Sequence, residues 1–512
     1  MEQVAMERYQ FNLPPLYFLH IPKTAGTSLK HWLYEFYCED QVLGIQVPDE
    51  LSRVSRQEIN DARLITGHFG WQLLDYFDQP RLAITWLRDP VKRAISNFRY
   101  TREQLPMLIS EAKKVGRDDW IEFYEHCSRL SFDELIDQQM YEGFVDNMHT
   151  RHLANFFPGN EPLFIDGQVL ALAKQNLEKL SFVGFSEWMA PSISLCSYQL
   201  GFPYYPLTHK LNTTSQTEPK GAPLISEEGK QRLESIERFD RQLYDWAKTR
   251  FHHQLARFLE QVKATDKEQE SPVDARSVSR SFTEVIHDFS IPELQDRIRK
   301  VVNQNFQASQ ANPLVDAGEL CFADLVVQEG WHPRWLHRES GATIRWSGPS
   351  NSSKVQVPLK PGSDYEVVFL VYNHAGRQFI EKMSIFANDV PVPSKVKFID
   401  DMPYKAIVWF LVPRRAIKRD QLTDVTIVVP DELKPANFGN HPKLSFATDG
   451  FKFRASAKDC FSIPFWIKNV EFIVSNVPVK LSPVDACLPL PPSILNAVNS
   501  PSITTTHEVC NS

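Results

Sequence analysis

The stretch Tyr17-Phe18-Leu19-His20-Ile21-Pro22-Lys23-Thr24-Ala25-Gly26-Thr27-Ser28-Leu29 restricts the fold of this chain more than any other segment. Its apolar start, Leu16 to Leu19, reads as a short buried strand. A turn of small residues follows, Lys23 to Ser28. Leu29, Trp32, Leu33, Phe36 and Tyr37 then recur at helical spacing, so the turn feeds a helix. A strand, a tight turn and a helix N-terminus make an anion site, because the free N–H groups and the positive end of the helix dipole face the turn. Lys23 adds a mobile charge, Thr24, Thr27 and Ser28 add hydroxyl donors, Ala25 keeps the turn small, and Gly26 lets the backbone come close to a bound phosphate. The nucleotide-triphosphatase loop requires Gly-Lys-Ser/Thr at its end. Here the lysine precedes the glycine, which disfavours a nucleotide kinase.

Further strand–helix units follow. Leu64-Ile65-Thr66-Gly67 reads as a second strand with His68 at its end, and Leu82 to Leu87 as a third, stopped by Arg88-Asp89-Pro90. Pro90 suits the first position of a helix, with Asp89 as its cap. Residues 120–140, 166–180, 187–200 and 226–262 carry helical patterns, and Phe182-Val183-Gly184-Phe185 is another short buried strand. Strand–helix units with short loops predict an α/β fold with a parallel sheet flanked by helices. The segment Asp146 to Leu153 is too polar for a core strand.

A chain of 512 residues has room for more than one core. Residues 264–281 are charged and polar and read as a linker, with one isolated helix over Ile291 to Phe306. From Phe322 onward short alternating runs such as Tyr365 to Tyr372, broken by turn residues, predict a β-sandwich. The expected divisions are an extension over 1–15, an α/β domain over 16–262, a linker over 263–318, a jelly-roll-like sandwich over 319–480 and a disordered tail over 481–512. Strands are also expected at Val425 to Val429 and Val470 to Val474.

Charge and cysteines narrow the function classes. A net charge of −7 argues against general nucleic-acid binding. No apolar run is long enough for a membrane span, and residues 1–15 lack a secretory core. Seven scattered cysteines without CxxC spacing predict reduced thiols in a cytoplasmic protein, with no zinc site or disulfide framework. The expectation is therefore no metal.

The second basic element is Arg88-Asp89-Pro90-Val91-Lys92-Arg93-Ala94-Ile95-Ser96. A guanidinium at a strand end can grip a phosphate through parallel hydrogen bonds. Ser96 lies about two helical turns on and can share that face. One phosphate at the Lys23 loop and another at Arg88 and Ser96 would require a ligand phosphorylated at two places.

The pair His20-Ile21-Pro22-Lys23-Thr24-Ala25-Gly26-Thr27-Ser28 and Leu87-Arg88-Asp89-Pro90, with Arg93 and Ser96, resembles the sulfotransferases. It is most similar to the heparan-sulfate 2-O and 6-O branch and its bacterial relatives. The resemblance spans about Leu16 to Val262 and implies the sulfotransferase fold, a P-loop-like parallel sheet. It implies that residues 23–28 bind the 5′-phosphosulfate of 3′-phosphoadenosine 5′-phosphosulfate (PAPS), that Arg88 and Ser96 bind the 3′-phosphate, and that the acceptor is a carbohydrate hydroxyl. His68 stands where this branch keeps its catalytic histidine. The 2-O enzymes have His-x-His there, whereas this chain has Thr66-Gly67-His68, so the position sulfated stays open. His149 and Arg151, in Asn147 to Leu153, and Lys210, in Lys210-Leu211-Asn212, also resemble family segments and are candidate acceptor contacts.

Sulfuryl transfer is an in-line displacement like phosphoryl transfer, with charge developing on the leaving oxygen. Lys23 can stabilise that oxygen, and His68 has a suitable ordinary pKa for the base. Plainer roles compete: a structural histidine at 68, a salt bridge at Arg88, an exposed helix carrying His149 and Arg151, and for His20 a structural place on its strand. A non-catalytic nucleotide- or glycan-binding protein on the same fold is the alternative. In the second domain, Trp331, Trp335 and Trp346 either stack on sugars or fill the sandwich core, with the core favoured.

Overall fold

The computed structural model describes residues 9–37, 39–139, 146–155, 165–205, 224–264, 281–310, 314–324, 326, 328–332, 334–337, 342–348, 350–399, 402–419, 421–430, 433, 436–438, 441–456 and 487–489. They form two compact units, residues 13–309 and residues 1–12 with 310–512.

The first unit is built on a five-stranded sheet. Its strands are β1 (Leu16–Leu19), β2 (Val42–Leu43), β3 (Leu64–Gly67), β4 (Leu82–Leu87) and β5 (Phe182–Phe185), in the order β2-β3-β1-β4-β5. Every pairing is parallel. β1 and β3 are buried along their whole length, as the unbroken apolar runs require of strands covered on both faces. β4 places Trp86 opposite Gly184 of β5, and a Cβ at Gly184 would come within 2.3 Å of the indole. Only glycine leaves room for that ring.

The helices of this unit are α1 (Gly26–Leu33), α2 (Arg56–Asp61), α3 (Pro90–Glu103), α4 (Leu105–Val115), α5 (Asp118–Arg129), α6 (Phe132–Asp137), α7 (Met148–Ala154), α8 (Gly167–Lys179), α9 (Met189–Leu200), α10 (Glu227–Ile236), α11 (Arg238–Ala264), α12 (Phe282–Phe289) and α13 (Pro292–Ser309). Asp89 caps α3 by accepting from Lys92 N at 3.0 Å, with Pro90 as its first residue.

Two segments differ from the sequence reading. Residues 282–309, expected to be linker with one isolated helix, form α12 and α13, which pack on α11 and, for α13, also on α9. The reason is an apolar stripe, Val285, Phe289, Leu294, Ile298, Val302 and Phe306, that is buried throughout. Residues 265–280 lie outside the described set. The second segment is α7, whose polar residues His149, Thr150, Arg151 and His152 are buried, because Asp240 meets His149 and Thr150, Asp146 meets Arg151, and the Met148 carbonyl meets His152.

Among the described residues the second unit has two large antiparallel sheets and a two-stranded one, Ala436–Phe438 with His441–Leu444. One large sheet has the order Val390–Val392, Ser384–Ala387, Thr423–Val428, Ser352–Val357, Gln328–Glu329. The other is centred on Tyr365–His374 between Met402–Val412 and Phe446–Thr448. Val355, Ile385 and Ile427 of the first sheet share one core with Val367, Phe369 and Phe410 of the second, which makes a sandwich. Trp331, Trp335 and Trp346 are buried in this unit and hold no open face for a sugar. Tyr9 N donates to Glu319 O at 2.9 Å, so the N-terminal residues are part of this unit. Within the expected tail, Cys487–Pro489 pairs antiparallel with Trp335–His337. The rest of 481–512 and the expected strand at 470–474 lie outside the described residues.

Candidate active site

The site gathers at the carboxyl ends of the central strands, where parallel sheets place function. β1 ends at Leu19 and β3 at Gly67, and these two residues are register partners. His20 and His68 therefore emerge side by side. Their rings are tilted at 36° with centroids 4.3 Å apart. His68 Nδ1–H donates to His20 O at 2.7 Å, which leaves Nε2 with the lone pair. His152 on α7 is close enough to both for its charge to matter, and its Nδ1–H donates to Met148 O at 2.8 Å.

The electrostatics hold these imidazoles neutral. Burial lowers His68, the bond to His20 O opposes this, and the Lys30 and Lys23 charges lower it further. Burial and the His68 charge push His20 well below the ordinary histidine range. Burial first, then His68, push His152 down to about 3.

The loop after His20 turns sharply. Lys23 and Ala25 both adopt left-handed backbone conformations, with φ of 69° and 67°. Ala25 is the N-cap of α1 and offers no side-chain cap, and the first turn of α1 has no acidic residue. No cap side chain and no acidic side chain offsets the positive end of the α1 dipole, which favours an incoming anion there. Thr24 is fully buried and its hydroxyl donates to Ile21 O at 2.8 Å, so it closes the turn and is not a free ligand donor. Gly26 has a packing reason of its own: a Cβ there would come within 1.6 Å of His20 Nε2. The glycine makes room for the His20 ring. Thr27 and Ser28 open α1.

The second basic element reaches the same loop. Arg88 follows the end of β4, and its Nη1 donates to Lys23 O at 3.0 Å. Lys23 Nζ sits 3.7 Å from the Tyr100 ring centroid on α3. Ser96 lies one turn before Tyr100 on the same helical face. Burial, followed by the Arg88 charge, pulls the Lys23 amine down to about 8. Two half-buried cations held this close are relieved by an anion.

His149 and Arg151 are buried on α7. They are 0% and 2% exposed, against the expectation of acceptor contacts or an exposed helix. Arg151 pairs with Asp146 at 2.6 Å, and His149 Nδ1 lies 2.9 Å from Asp240 Oδ2. Lys210 lies outside the described residues. Sequence reasoning missed His20, Lys30 and His152 as parts of the site. A signal for His20 was present, since it ends the strand that would neighbour the one ending at His68. Lys30 sits on α1 with its pKa lowered to about 8 by burial, an effect Glu50 opposes. Among the described residues no group of His, Cys, Asp and Glu is arranged to hold a metal ion, and no helix is long and apolar enough to cross a membrane.

No family model matches the chain. Heparan-sulfate 6-O-sulfotransferase 2 of Gallus gallus is 25% identical over 307 residues, spanning 52% of this chain and 75% of that protein. Over about half its length the chain is thus similar to a sulfotransferase. The parallel sheet with flanking helices is consistent with the sulfotransferase fold.

Proposed function

We propose that this chain is a PAPS-dependent carbohydrate O-sulfotransferase. The observation that carries the reading is that the Arg88 guanidinium is held on the Lys23 carbonyl, in the loop that enters α1 without a side-chain cap, beside a histidine whose Nε2 carries the lone pair of a base. The likeness to a heparan-sulfate sulfotransferase supports a glycan acceptor.

In this reading the N–H groups of residues 24–28 and the Lys23 amine hold the 5′-phosphosulfate. The remaining N–H donors of Arg88, with Ser96, take the 3′-phosphate. His68 Nε2 accepts the proton of an acceptor hydroxyl as its oxygen attacks sulfur. The bond from sulfur to the bridging oxygen breaks, and adenosine 3′,5′-bisphosphate leaves with its new charge stabilised by Lys23. The acceptor gains the sulfuryl group, and His68 holds the proton until solvent removes it. His20 keeps the base in the right tautomer through its carbonyl. Lys210 remains a proposed acceptor contact.

Turnover of labelled PAPS with a mixed glycan panel tests the reading, together with calorimetry of adenosine 3′,5′-bisphosphate binding. Lys23→Ala and Arg88→Ala should each weaken that binding about tenfold or more, since each removes a charge-assisted contact. Unchanged affinity in both folded variants removes the basis for the assignment. Binding without turnover on any glycan points to a non-catalytic protein on the same fold.

A further inference from the structure

Arg88 is held at two points. Its guanidinium donates to Lys23 O at 3.0 Å, and its backbone N–H donates to Nε2 of His149 at 3.4 Å. His149 is wholly buried on α7, so it offers no atom to a ligand. Its other nitrogen, Nδ1, lies 2.9 Å from Asp240 Oδ2 on α11, a close electrostatic contact that is off the line of a hydrogen bond. Asp240 is itself fixed. It accepts from His149 N at 2.9 Å, Thr150 N at 2.8 Å and Thr150 Oγ1 at 2.7 Å. A continuous chain of polar contacts therefore runs from α11 through His149 and Arg88 to the carbonyl of Lys23.

The chemistry of the imidazole gives this chain a direction. A carboxylate accepts only, so it selects the tautomer with the proton on Nδ1. That tautomer alone leaves a lone pair on Nε2 for the Arg88 N–H. The opposite tautomer would set two N–H groups against each other.

We propose that His149 is a positioning residue for Arg88: Asp240 fixes its tautomer, and its Nε2 sets the height at which the guanidinium meets an anion. The inference rests on the anion-site reading of Lys23 and Arg88. It replaces acceptor contact at His149 with a role exerted through the strand end.

Two near-isosteric variants of the full chain separate this from a filling role. In His149→Gln the amide oxygen can occupy the place of Nε2 and accept from Arg88 N–H. In His149→Asn the amide reaches only the place of Nδ1, toward Asp240. Calorimetry with adenosine 3′,5′-bisphosphate should find His149→Gln within about threefold of the parent and His149→Asn about tenfold weaker, the loss of one hydrogen bond. Equal affinity in all three, or equal weakening in both folded variants, overturns the proposal. A second readout needs neither ligand nor variant. The imidazole nitrogen shifts of His149 in the parent should report Nδ1–H, and the Arg88 amide should exchange slowly. The Nε2–H tautomer or a fast-exchanging Arg88 amide overturns the proposal. A parent that binds no bisphosphate while keeping both signatures sinks the anion-site reading instead.

Discussion

His68 is the residue on which proposed chemistry and proposed binding part company. As a base it acts only when a hydroxyl loses its proton, so His68→Ala should keep PAPS affinity while turnover falls about 10²–10⁴-fold. Full turnover in that variant on the best acceptor would move the base elsewhere. The pH profile follows from the directions of the shifts. His68 is lowered, so it stays neutral and competent below the ordinary range near ~6.5, and turnover should fall only as pH drops through its lowered value. Lys23 titrates at about 8 in the free protein, so its charge is lost as pH rises through that value. kcat/KM for PAPS should then decline above about pH 8, and Lys23→Ala should abolish that alkaline limb. An alkaline limb that survives in the variant would detach it from Lys23. At this scale Lys23, Arg88 and His68 were legible because each stands at a strand end beside a turn. Thr24 and Gly26 were legible as turn residues only. Their partners, Ile21 O and the His20 ring, depend on how the loop folds back on itself.

Among the elements, α7 and α11 close on each other at their N-termini. Asn147 Oδ1 accepts from Phe239 N and Asp240 N at 3.1 Å each, and its Nδ2 donates to Ile236 O at 2.8 Å. Asp240 returns the favour at the start of α7. Burial works to raise the Asp240 carboxyl, but His149, the N–H bonds and Arg93 hold it down to about 2. Removing the Asn147 side chain leaves buried N–H groups unpaired, a loss of about 1–3 kcal/mol. Asn147 also has a φ of 45°, so Asn147→Ala would add backbone strain. Asn147→Gly avoids that strain and should still lower the thermal midpoint; an unchanged midpoint would mean the interlock contributes nothing. Four of the five strands of the parallel sheet and most helices were legible from periodicity alone, while the two-residue β2 was too short to show. α7 was not, because its stabilising partners lie about ninety residues away in sequence, and no local pattern reports them.

For the whole molecule, two units with separate cores imply separable stability. Every residue of the proposed site lies in residues 13–309. A chain of residues 13–309 should therefore fold and bind adenosine 3′,5′-bisphosphate as the full chain does. A chain stopped at residue 264, near the domain end expected from sequence, should not. It lacks α12 and α13, whose buried Val285, Phe289, Leu294, Ile298, Val302 and Phe306 cover α11 and α9. Each such side chain contributes about 1.5–3 kcal/mol when fully buried. Their sum is comparable to a whole domain's net stability of about 5–15 kcal/mol. The polar run before α12 marked a boundary in the sequence, but the amphipathic stripe after it demanded a partner, and that partner is the preceding domain. Circular dichroism melts of the two chains, followed by calorimetry with the bisphosphate, decide the matter. A cooperative melt at the same midpoint for the shorter chain would show that α12 and α13 are not part of this folding unit. Loss of binding in a well-folded 13–309 chain would show that the site needs residues of the second unit.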